Sequence, residues 1–195
     1  NIEKKTGLVI KLNEKNTWIF YPSIGLSNLN VSITQNNNSL KINKANINLT
    51  KNYWPTSPIY INFKTPSANY QIIELLDIIM NAKYINSIFY IENFTGKIAG
   101  GNLQLTGQYN FDNNQSFNAQ GKFNNISLNN LLKKSKTSLL QRINIKLSSN
   151  NFLLSGKKAN ENQMFSSLVG DIPITGSFYL SSTEEERFSV ALLSL

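Results

Sequence analysis

No cysteine and no histidine occurs among the 195 residues. Their absence removes disulfides, thiolate nucleophiles, histidine-containing zinc sites and every histidine general base. A chain without cysteine suits an oxidising compartment, where a stray thiol is a hazard. Arginine is almost missing as well: Arg142 and Arg187 stand alone, and lysine supplies the rest of the basic charge. Lysine is a point charge and lacks the planar fork that clamps phosphate or reads guanine. No apolar run approaches the ~20 residues that a membrane-crossing helix needs.

What remains suffices for a folded body. Hydrophobic residues make up 41% and aromatics 11%, enough to fill a core rather than form a disordered tail. The formal net charge is +8, a surface suited to nucleic acid, anionic lipid or an acidic partner. Asparagine, lysine and isoleucine are abundant, as an AT-rich genome would encode. No long linker, charge block or composition break divides the chain. We therefore expect one domain over 1–195, with an N-terminal strand segment 7–63 and a C-terminal module 64–195. The charged start NIEKK and the apolar strand FSVALLSL at the end read as the limits of an excised soluble portion. Any N-terminal membrane anchor would lie outside it.

Period-two alternation predicts strands along most of the chain. GLVIKL and NTWIFY read as a first hairpin around NEK, and Pro22 ends its second strand. In LKINKANINL, Leu40 and Ile42 alternate in one phase and Ala45, Ile47 and Leu49 in the other. That flip predicts a bulge near Asn43–Lys44. LQLTGQYNF, the polar turn DNNQ and SFNAQGKF form a second hairpin. INIKLSS and FLLSGK suggest a further strand pair. Leu105-Thr106-Gly107 and Ile174-Thr175-Gly176 open similar strand–turn–strand units, an internal echo of a sheet that grows by addition.

Two or three short helices are expected on this sheet, at about 69–82, 128–136 and 160–169. The first follows Pro66, with Ser67 or Asn69 to cap it. Its apolar stripe is wide enough to demand burial against the sheet. The fold class is thus α+β: mostly antiparallel β, a curved hairpin-built sheet with two or three helices packed on it.

Chemistry is sparse. Glu74 and Asp77 share the edge of the expected helix, and Glu184, Glu185 and Glu186 sit at a turn; both are solvated arrangements rather than acid–base pairs. Gly96, Gly100 and Gly101 precede a strand, so they match neither a phosphate loop nor a dinucleotide fingerprint. They fit a bulge or a close backbone approach. The lysines are scattered, with no module motif for RNA. We predict no catalytic residue, no metal site, no cofactor and no nucleic-acid partner. The candidate lipid- or partner-contact residues are Ile72, Leu75, Leu76 and Ile79 on the first helix, and Leu103, Leu105 and Phe117 on the hairpin.

Two segments carry a family resemblance. WIFYPSIGLSNLNVSI places a tryptophan strand before a proline and a Gly-Leu pair. A longer stretch runs from TPSANYQIIELL through IFYIENFTGKIAGGNLQLTGQYNF and GKFNNISLNNLL to LSSNNFLLSGKKANENQMFSSLVG. Together they resemble the AsmA family of bacterial envelope proteins, though with a much shorter middle. The resemblance implies a β-rich periplasmic body, anchored in the inner membrane by one N-terminal helix. It implies a non-enzymatic role in outer-membrane biogenesis, with phospholipid carried on an apolar sheet face. The alternative is a structural periplasmic subunit of a secretion or pilus machine, contacting envelope proteins through the same sheet.

Overall fold

The computed structural model describes residues 8–12, 17–21, 23–35, 40–70, 73–112, 115–131, 143–157 and 166–180. Its elements in order are β1 (Leu8–Leu12), β2 (Thr17–Ile19), β3 (Ile24–Gln35), β4 (Leu40–Lys51), β5 (Ile59–Tyr70) and β6 (Ile73–Ile85). Then come β7 (Ile88–Ile98), β8 (Gly101–Asn110), β9 (Ser116–Ser127), α1 (Leu128–Leu131), β10 (Ile143–Lys157), β11 (Val169–Asp171) and β12 (Thr175–Leu180). All the strands belong to one antiparallel sheet, and from β3 to β10 each pairs with the next in sequence. The two rims are built alike. β1 and β2 lie end to end along β3, and β11 and β12 lie end to end along β10.

The α+β expectation is therefore corrected: the described chain is nearly all antiparallel sheet. The segment expected as a helix over 69–82 ends β5 and forms most of β6, a central strand paired along its length with β5 and β7. Pro66 does not start a helix but lies inside β5. The ladders skip it on both sides, pairing Lys64 and Ser67 with β4 and Thr65 and Ser67 with β6. Proline fits there because no amide hydrogen is required. Of 128–136, Leu128–Leu131 is helical and the rest lies outside the described residues. Most of 160–169 also lies outside them, and Val169 opens β11. GLVIKL and NTWIFY do not form a hairpin, since both pair with β3. INIKLSS and FLLSGK are one continuous strand, β10.

The register explains how period-two alternation survives such long strands. One-residue bulges interrupt the ladders, and each flips the phase so that the apolar set keeps its face. The extra residue is left-handed at Asn28 (φ 54), Lys44 (φ 51), Asp77 (φ 51) and Asn125 (φ 56). Lys44 marks the expected flip in β4. Across two of the bulges, the facing residue supplies the missing partner from its side chain. The Asn28 amide donates to Asn48 Oδ1 at 2.7 Å, and the Asn125 amide donates to Ser148 Oγ at 2.9 Å. Asparagine abundance thus has a structural use, since it tolerates left-handed backbone and reaches nearby backbone groups.

Paired residues share a face in an antiparallel ladder. Every buried hydrophobic side chain among the described residues falls on the same face: Val31, Ala45, Ala68, Ile78, Ala82, Ile126 and Phe152. Full burial of a residue such as Ile78 contributes about 1.5–3 kcal/mol. Two buried polar residues, Thr65 and Ser149, sit on that face beside chain irregularities. Each hydroxyl donates to the carbonyl two residues on, Thr65 to Ser67 at 3.0 Å and Ser149 to Asn151 at 3.3 Å. Local pairing removes most of the cost of burying them.

Candidate functional site

The largest candidate surface is the apolar face itself. One row crosses it from β3 to β10 as Leu29, Ile47, Phe63, Met80, Phe94, Leu105, Gly121 and Phe152. The next row reads Leu26, Leu49, Ile61, Ala82, Ile91, Gly107, Ala119 and Leu154. Elements pack along the ladder, with α1 against β10, and among the described residues no second layer packs across this face. Most of its side chains are only half-buried, shielded by their lateral neighbours. Seven strand spacings of about 4.8 Å make the face roughly 34 Å wide, on the order of 1,000 Å² in area. An ordinary monomer exposes no apolar patch beyond ~300–600 Å².

Relief on this face is set by small residues. At Gly107 and Gly121 the floor drops to backbone, with Ala119 beside them. Tyr109 and Phe117 stand as a facing pair on one side of this dip, and Leu103 and Phe123 on the other. Phe123 and Phe152 pack with centroids 6.2 Å apart. The result is a shallow apolar trough across β8 and β9. At the rims the apolar side chains are far more open: Trp18 is 61% exposed and Phe178 75%.

The opposite face is polar. Asn48, Asn62, Asn81 and Asn93 form one row, and Thr50, Tyr60, Lys83, Tyr90, Gln108 and Asn118 another. A depression of about 830 Å³ opens on this side, lined in part by Lys83, Tyr90, Thr106, Gln108, Asn118 and Gln120. Lys83 pairs with Glu92 at 2.8 Å and lies 5.5 Å from the centre of the Tyr90 ring. Its hydrogen bond to Glu92 and the charge of that carboxylate raise its pKa above the ordinary 10.5. Lys83 is therefore a fixed cation, not a base. Lys97 and Asp77 make the second ion pair, also at 2.8 Å. Asp77 thus faces a lysine two strands' length along the chain, and not Glu74 as a helix would have arranged. Among the described residues no group of three or more His, Cys, Asp or Glu gathers at metal-binding distance.

The expected contact residues divide between the faces. Leu75, Leu103, Leu105 and Phe117 all lie on the apolar face, and the register puts Ala119 with them. Leu76 and Ile79 point the other way, since Leu76 pairs with Ser67 and Ile79 with Lys64. Ile72 lies outside the described residues. Reasoning from a helix missed Phe63, Met80, Ile91 and Phe94, which line the same face. The signal for Phe63, Ile91 and Phe94 was present as alternation in YINF and IFYIENF, whereas Met80 fell in the apolar stripe of the expected helix. Glu184, Glu185 and Glu186 fall outside the described residues.

Comparison with family models, with curated proteins and with solved structures returned no match. The AsmA resemblance therefore rests on the sequence segments alone. Among the described residues no helix is long and apolar enough to cross a membrane.

Proposed function

We propose that this protein is a non-enzymatic lipid-binding component of a bacterial envelope, with its β-rich body in the periplasm, that holds phospholipid acyl chains against its apolar sheet face. The observation that carries this reading is the unbroken apolar surface from β3 to β10. Strands of about 12 residues run ~40 Å, against ~15 Å for the hydrocarbon of one leaflet, so chains fit lengthwise. The trough at Gly107 and Gly121 offers a groove floored by backbone and walled by aromatic and leucine side chains. Apolar contact and exclusion of water supply the affinity, and no chemistry is required. The resemblance to AsmA proteins points to the same use.

A second reading is favoured by the rims, where Trp18, Ile10 and Phe178 stay exposed. In that reading the sheet is a scaffold that binds envelope proteins by strand addition. Native mass spectrometry with lipid extraction of the purified protein separates the two. Adducts of phospholipid mass support the lipid reading. A folded protein that carries no lipid, and takes up none when offered it, supports the scaffold.

A further inference from the structure

The polar face is also a basic one. Lys11, Lys41, Lys64, Lys122, Lys146 and Lys157 all lie on it, by their pairing with Ser32, Thr34, Asn46, Gln104, Ser127 and Ser116. All six are exposed and make no ion pair among the described residues. Lys83 and Lys97 share the face but are held by Glu92 and Asp77. Among the described strand residues, two carboxylates without a lysine, Glu74 and Asp171, stand against the six, so this part of the face is positive on balance.

Exposed apolar residues interrupt these charges in two places, Leu153 and Val169 at the rim of β10 and β11 and Leu76 and Ile79 on β6. Leu76 is 40% exposed and Ile79 is 41% exposed. Ile79 sits between Lys64 and Thr95 in the row that ends at Lys122. We propose that this lysine-bearing face docks on an anionic lipid bilayer surface, with Leu76 and Ile79 entering the headgroup layer.

The arrangement of the lysines selects this partner. They spread over both dimensions of the sheet, with Lys64 and Lys122 about 19 Å apart across four strand spacings. A plane of headgroup charge matches a plane of lysines. A single nucleic-acid strand instead needs a basic line with stacked rings. On this face Tyr60 and Tyr90 are held apart by Lys83 on the strand between them. Interfacial binding elsewhere combines cationic side chains with apolar ones that reach the acyl boundary, and Leu76 and Ile79 supply the second part.

Docking here is independent of the acyl-chain reading, which uses the other face. The test is co-sedimentation of the full chain with vesicles of phosphatidylcholine containing phosphatidylglycerol, against phosphatidylcholine alone. We expect binding to the anionic vesicles only. Raising salt from about 0.1 M to about 1 M shortens the screening length from about 10 Å to about 3 Å and should release the protein. Each lysine near an anionic surface is worth about fivefold in affinity, so Lys64→Gln with Lys122→Gln should weaken binding roughly 25-fold. Lys51→Gln, at the end of the apolar face, should leave it unchanged. Circular dichroism checks that the sheet persists, and the salt titration on the unaltered protein decides the matter if a variant unfolds. Equal binding to neutral vesicles, insensitivity to salt, or tighter binding to single-stranded RNA than to anionic vesicles would overturn the proposal. Uptake through the apolar face would depend on neither vesicle charge nor salt, so the two readings fail separately.

Discussion

Asn125 shows how a single residue holds the faces in phase. It is the extra residue of a bulge in β9, left-handed, with its amide taken by Ser148. A β-branched side chain there strains the backbone by about 1–2 kcal/mol. Asn125→Val should therefore lower the urea midpoint, whereas Asn125→Gly should stay within about 1 kcal/mol of the parent. Gly101, opposite this bulge, has no room for a side chain: a Cβ there would stand 2.5 Å from the Asn124 carbonyl oxygen. Gly101→Ala should cost about 1–3 kcal/mol, read by the same melt. Lys83 gives a pH signature. Its pKa is raised by Glu92, so the pair's contribution is full below the ordinary value of 10.5 and fades as pH rises through the higher folded value. Glu92→Gln should flatten that alkaline decline in melting temperature. At this scale the sequence was partly legible. The flip at Asn43–Lys44 could be read because alternation is clear on both sides. The bulge at Asp77 could not, because Leu76 and Ile79 place apolar residues on the wrong face beside it.

β6 is the element where local pattern and tertiary structure part company. IELLDIIM satisfies a helical stripe, and Pro66 with Ser67 imitates a helix start. Long-range pairing decides otherwise: β5 and β7 offer ladders on both sides, and the isoleucines are β-branched residues that suit a strand. With the flip at Asp77, Ile73 and Leu75 share a face with Ile78, Met80 and Ala82. This yields a sharp contrast between neighbours. Ile78 is 4% exposed and Ile79 41%. Ile78→Ala should cost about 2–4 kcal/mol and Ile79→Ala under about 1 kcal/mol. In a wide helical stripe packed on the sheet, both would be costly. The hairpin of β8 and β9 was legible throughout, because LQLTGQYNF and SFNAQGKF alternate without a bulge between them and a polar turn separates them.

At the scale of the whole molecule, the described residues form a single sheet with two chemically different faces. Composition gave the materials, apolar alternation and an excess of lysine, but not their segregation. Scattered along the chain, the lysines show no order until the register lays most of the described ones on one side. The apolar face invites acyl chains and the basic face an anionic surface. The most direct test of the first claim compares neighbours that point in opposite directions. A photo-crosslinking amino acid is placed at Leu105 or at Gln104 on β8, which the register assigns to the apolar and polar faces. The purified protein is loaded with neutral phosphatidylcholine, washed free of membranes at high salt so that the basic face carries no bilayer, and irradiated, and adducts are read by mass spectrometry. Phospholipid adducts are expected at Leu105 and none of that mass at Gln104. Equal labelling at both positions, or protein adducts alone at Leu105, would contradict the claim.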